Sequence, residues 1–129
     1  MANTMPARII ASLGALGLGI GGLSPAVASD STNARPAAFA ACAGCHTTSE
    51  GQHRMGPSLA GVSGRKSGSL PGYTYSKALK ESGLVWNAAT LDQWLTSPAK
   101  TVPGTKMPFG GITDPVRRKQ VVDYLLSLK

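Results

Sequence analysis

Residues 39–49 read FAACAGCHTTS and hold both cysteines of the chain, Cys42 and Cys45, with His46 directly behind the second. On a helical turn, positions i, i+3 and i+4 face one side, so two thiols and an imidazole at this spacing can meet a single flat ligand. A dithiol oxidoreductase also uses Cys-x-x-Cys, but at a helix start inside a strand-helix-strand unit, and no such unit is visible around these residues. Zinc wants four ligands. The chain offers two Cys and two His, the other being His53, and His46 stands too close to Cys45 for the usual spacing.

The reading that uses all three residues is covalent haem: the thiols add across the vinyl groups as thioethers and the adjacent imidazole binds iron from one face. It also accounts for the composition. Aromatic residues make up only 5% of the 129, while sixteen glycines and nine prolines break the chain into short elements. A buried apolar macrocycle supplies the core that side chains alone would leave thin.

The N-terminus reads as an export signal, with Arg8 in a short polar start, an apolar run from Ile9 to about Leu23, and SPAVAS with Ala26 and Ala28 at the positions a signal peptidase reads. Residues 1–28 are therefore expected to be a signal peptide cleaved after Ala28, and residues 29–129 one domain in the periplasm. The run is shorter and richer in glycine than a bilayer-spanning helix wants, which makes an uncleaved anchor the lesser alternative. Without Arg8 the chain keeps 12 Lys+Arg against 6 Asp+Glu, a net charge of +6. The basic residues are scattered singly, and outside the cytoplasm nucleic acid is not the expected partner; acidic protein surfaces are, with plain solubility as the bland alternative.

Along the exported part, Pro36 opens an Ala-rich helix leading into the cysteines. Residues 51–75 carry many glycines and no apolar period, and read as a long loop folded over something. Ser76 is expected to cap a helix on KALKES that Gly83 stops, and Asn87 a helix on AATLDQWLTS that ends before Pro98. A second loop, PAKTVPGTKMPFGGI, leads to a last helix capped by Thr113, with Val121, Tyr124, Leu125 and Leu128 on one face. No run alternates as a strand would. The fold class is all-α, about four short helices and long loops around one haem.

For the second face of iron the candidates are Met55, His53 and Met107. The first two follow His46 within a few residues, on a segment that must still turn away from the proximal side. Met107 comes much later, in VPGTKMPFGG, where prolines hold an extended loop able to present a thioether from the opposite face. Its alternative role is core filling, as is common for methionine.

From Phe39 to Lys129 the chain resembles class I cytochromes c, the mitochondrial type and its bacterial relatives, in CAGCH, GPSLAGVSGRKSG, PGYTYSKA, SGLVW, VPGTKMPF and VVDYLLSL, in the family's order. The resemblance implies the cytochrome c fold and one haem c linked to Cys42 and Cys45, with His46 and Met107 on iron. It implies that the Pro57 carbonyl accepts the Nδ1 proton of His46, that Arg65, Tyr75 and Trp86 meet the haem propionates, and that Thr105 is a further donor on the methionine side. Phe39, Tyr124 and Leu125 would form the crossing of first and last helices. Three positions depart from the pattern: Trp94 replaces a tyrosine, Leu79 replaces an asparagine, and no glycine precedes Phe39, where Ala37 and Ala38 stand instead.

The function so implied is a monomeric, soluble electron carrier without catalysis or stable membrane insertion, passing single electrons through the haem edge near Cys42 and Cys45. Its donors and acceptors would be a quinol-oxidising cytochrome complex, a terminal oxidase or a periplasmic dehydrogenase. Lys66, Lys77, Lys80, Lys100 and Lys106 are candidates for a basic docking rim, Lys106 first. The rival reading is a haem enzyme or gas binder with a labile Met107, but a catalytic version needs a distal acid or base, and only Lys106 stands nearby.

Overall fold

The computed structural model describes residues 34–129, so the expected signal peptide lies outside the described residues. Pro36 opens a single 3-10 turn, Ala37–Phe39, that runs on into helix α1, Ala40–Ala43. The helical hydrogen bonds continue past it: Cys45 N–H and His46 N–H both donate to the Cys42 carbonyl, at 3.1 and 2.9 Å. The two cysteines and the histidine therefore share one turn, the arrangement their spacing predicts.

Helix α2, Lys77–Glu81, is capped by Ser76, whose hydroxyl accepts the Leu79 N–H at 3.1 Å. Helix α3, Ala88–Thr96, begins with a reciprocal box in which the Asn87 carboxamide accepts the Thr90 N–H and the Thr90 hydroxyl accepts the Asn87 N–H. Two expectations need correction at the later helices. Pro98 ends α3 but does not open a loop; Ser97 is extended, and Pro98 starts a further short helix, α4, Pro98–Thr101. The proline ring that bars continuation of α3 is pre-set for the first position of a new helix, so the described chain has five α-helices where about four were expected.

Helix α5, Pro115–Ser127, is capped by Asp114 and not by Thr113. The Asp114 carboxylate accepts the N–H groups of Val116 and Arg117 at 2.8 and 3.3 Å, and its negative charge sits favourably at the helix start. Helix α5 packs against both the N-terminal helical segment and α3. At the first crossing Phe39 is 1% exposed and meets Tyr124 edge to face, with ring centroids 4.8 Å apart. Ala38 packs against the core there while Ala37 is exposed, so only one of the two alanines serves the crossing. Because α5 has two neighbours its buried face is wider than the expected stripe and takes in Val122.

The long loop after His46 contains no helix, as expected, yet it is tied at several points. An antiparallel bridge joins Lys66 to Val85, flanked by bonds from Trp86 N–H to the Arg65 carbonyl at 2.9 Å and from Gly64 N–H to the Trp86 carbonyl at 2.7 Å. His53 is a second tie. Its Nδ1 accepts the Ser58 N–H at 3.1 Å, so Nε2 carries the proton and donates to the Pro71 carbonyl at 3.0 Å.

Candidate cofactor crevice

The helices and the long loop enclose a cavity of about 320 Å³. All nine residues singled out as cofactor contacts (Cys42, Cys45, His46, Pro57, Arg65, Tyr75, Trp86, Thr105 and Met107) lie on its wall. They arrive from separate parts of the chain, Cys42 from α1 and Cys45 and His46 from the turn that continues it, the next four from the long loop and the bridge, the last two from the loop between α4 and α5.

His46 is oriented by a 2.7 Å hydrogen bond in which its Nδ1–H donates to the Pro57 carbonyl. That bond leaves the Nε2 lone pair free. Burial pushes the imidazole pKa down, the bond to Pro57 opposing it, so the ring is held neutral and able to ligate. Gly56 lies close against the same ring. A Cβ there would lie 2.6 Å from Nδ1, which no side chain tolerates. Neither Cys42 nor Cys45 is in a disulfide, and burial raises the Cys42 thiol above its ordinary pKa, which keeps it neutral.

Arg65 is anchored on the wall by its guanidinium, donating to the carbonyls of Ala60 at 2.8 Å and Ser58 at 3.1 Å, with no carboxylate in salt-bridge contact among the described residues. Tyr75 is buried near it. The indole N–H groups of Trp86 and Trp94, whose rings lie 5.4 Å apart, donate to no atom of the described residues. A fixed guanidinium on this wall suits an anionic edge of whatever fills the cavity.

Of the three candidates for a second ligand, His53 has both nitrogens engaged by backbone and Met55 is 75% exposed, although it borders the cavity. Met107 is half-buried and packed against the core. Its N–H meets the Thr105 hydroxyl at 3.4 Å, and its carbonyl accepts the Phe109 N–H at 2.9 Å. Leu79 and Trp94, the two departures from the family pattern, both line the cavity and make that region apolar. Of the five lysines of the expected rim only Lys106 borders the cavity, and its Nζ donates to the Thr74 carbonyl at 3.2 Å. Sequence reasoning did not single out Gly56, Leu91 or Leu95; the two leucines, one turn apart on α3, were legible as a helical face.

A profile of the family described as Cytochrome c matches residues 34–129. The chain belongs to the cytochrome c family. It is 44% identical over 94 residues to cytochrome c2 iso-2 of Magnetospirillum molischianum, covering 73% of this chain and 97% of that protein. It is 48% identical over 88 residues to cytochrome c2 of Rhodopila globiformis, covering 68% and 83%. The solved structure of cytochrome cH from Methylobacterium extorquens superposes with a TM-score of 0.65 at 49% identity, over 68% of this chain and 89% of that one.

As a member of the cytochrome c family the chain is a haem-based electron carrier, not an enzyme, and its cofactor is haem c attached through Cys42 and Cys45. The residues present fit that group. Two free thiols and a neutral imidazole share one turn at the wall of an apolar crevice, and Gly56 leaves the ring the room that a Cβ would fill.

Proposed function

We propose that residues 29–129, after export and loss of residues 1–28, form a periplasmic one-electron shuttle whose haem c has His46 and Met107 as axial ligands. What supports this reading is the meeting of Cys42, Cys45, His46 and Met107 on the wall of one crevice, the last from a chain segment far removed from the first three. Bound there, haem supplies a ferric/ferrous couple. The chain's own contribution is to position the two ligand residues: the Pro57 carbonyl aims the His46 ring, and the bonds to Thr105 and Phe109 fix the Met107 backbone. With His46 and Met107 both holding iron, the protein would leave the metal no open position for a substrate, and the bound group would supply outer-sphere electron exchange.

Arg65, Tyr75 and Trp86 would receive the haem carboxylates, with Thr105 as a further donor. The thioether and the apolar walls given by Leu79 and Trp94 disfavour the more charged ferric state, which raises the potential. The net positive charge favours acidic docking faces on a quinol-oxidising complex, a terminal oxidase or a dehydrogenase, met as a monomer and without insertion into the bilayer. Among the described residues no helix is long and apolar enough to cross a membrane.

The test is potentiometry and far-red absorption on the purified holoprotein and its Met107→Leu variant. The wild type is expected to show the sulfur-to-iron band, and the variant to lose it with a potential lower by at least about 59 mV, a tenfold change in the one-electron equilibrium. Reduction by isolated membranes should slow with added salt. A wild type without the band, or rates indifferent to salt, would sink the ligation and docking parts respectively.

A further inference from the structure

We propose that Arg118 is a positioning residue for the methionine loop: its guanidinium fastens the C-terminal foot of that loop to α3 and thereby sets how often Met107 leaves iron. This rests on the Met107 ligation proposed above. The loop runs from Val102 to Asp114, and its N-terminal side is held by a bond from Thr105 N–H to the Val102 carbonyl at 3.1 Å and by the exposed Lys106 contact.

The C-terminal foot is held differently. Ile112 N–H donates to the Leu95 carbonyl at the end of α3, at 2.8 Å. The Ile112 carbonyl accepts from Arg118 Nη1, also at 2.8 Å, and the neighbouring Thr113 carbonyl lies 3.3 Å from the same nitrogen. Arg118 Nε then donates to Asp92 Oδ1 on α3 at 2.7 Å. One planar fork thus joins α3, α5 and the loop, and both backbone polar groups of Ile112 are gripped. Gly111, at φ 101°, lets the chain pass so close to α3 that a Cβ would overlap the Thr96 carbonyl.

Position and burial of its guanidinium set this contact apart from the other ion pairs among the described residues. Helical side chains lean toward the helix start, so Arg118, one turn into α5, reaches back over residues 112 and 113. Its side chain is 13% exposed, against 73% for Lys119 in the neighbouring pair with Asp123. The exposed pair contributes little, whereas a mostly buried guanidinium that meets two backbone carbonyls and a half-exposed carboxylate is held more firmly. Met107 lies only a few residues upstream of Ile112, so release of this foot frees the thioether to swing away.

An added ligand enters iron only in molecules where Met107 has left, so its apparent affinity rises in proportion to the open fraction. The experiment is imidazole titration of the ferric holoprotein as wild type, Arg118→Gln, Asp92→Asn and the control Lys119→Gln, with thermal midpoints recorded alongside. Arg118→Gln should bind imidazole about tenfold more tightly and Asp92→Asn about threefold, the latter keeping the loop contacts but losing the carboxylate; Lys119→Gln should match wild type. Equal imidazole affinity in Arg118→Gln and wild type would overturn the proposal even if the thermal midpoint fell. If Arg118→Gln yields no holoprotein, Asp92→Asn decides, unchanged affinity again being fatal. Absence of the far-red band in the wild type is a separate outcome that overturns the ligation reading itself.

Discussion

Tyr75 and Arg65 share one wall of the crevice, and burial acts on both in the direction that disfavours charge. Desolvation is the larger cause of the raised Tyr75 pKa, with the nearby guanidinium opposing it. A phenol whose folded pKa stands above its unfolded value of 10.0 binds its proton more tightly when folded. Its contribution is therefore complete below about pH 10 and is lost as pH rises through the folded pKa. Denaturant titrations should find the wild type losing stability relative to Tyr75→Phe only above that range; parallel curves throughout would contradict the burial argument. At this scale the cysteines and His46 were legible, because three residues within one turn need no tertiary knowledge. Gly56 was not. Its requirement comes from an imidazole ten positions away that folds back against it, and nothing local marks that contact.

At the scale of elements, the start of α5 turns on Asp114, which satisfies two N–H groups that the helix itself leaves open. Asp114→Ala should cost about 1 kcal/mol and lower the thermal midpoint by about 4–8 °C, since α5 braces both α3 and the N-terminal turn. A scanning melt checks this, and Thr113→Ala is the matched comparison that should change little. Thr113 and Asp114 are both good capping residues, and the signal that separates them is Pro115, which favours the first helical position and so leaves Asp114 as the cap. The same holds for Pro98. A proline marks the end of one helix and the beginning of another equally well, and here it does both because Ser97 turns extended between them. The caps at Ser76 and Asn87 were legible since no rival stands beside them.

For the whole molecule, the crevice and the core are largely the same residues. Cys42, Val62, Trp86, Leu91, Trp94, Leu95 and Leu125 belong to the buried cluster and also face the cavity. Because so many core residues face the haem site, an apolar group bound there would be buried among them and would stabilise the fold at about 25 cal/mol per Å² of apolar surface removed from water. A Cys42→Ala/Cys45→Ala variant purified without cofactor should therefore lose fixed tertiary packing, read as collapse of the near-ultraviolet circular dichroism. A native-like signal from that variant would show that the side chains close the gap unaided. What the amino-acid sequence determined by itself was whatever is encoded within a turn or two: the ligand-bearing turn at residues 42–46, the caps at Ser76 and Asn87, the proline-braced segment around Met107, and the sparse aromatic content that calls for a filling group. What only the tertiary structure decided was convergence, namely which of the distant candidates line one crevice, that His53 spends both nitrogens on backbone, and that Arg118 ties the methionine loop to α3. Spacing along a chain constrains neighbours through bond geometry, but contacts between remote segments depend on how every intervening loop closes.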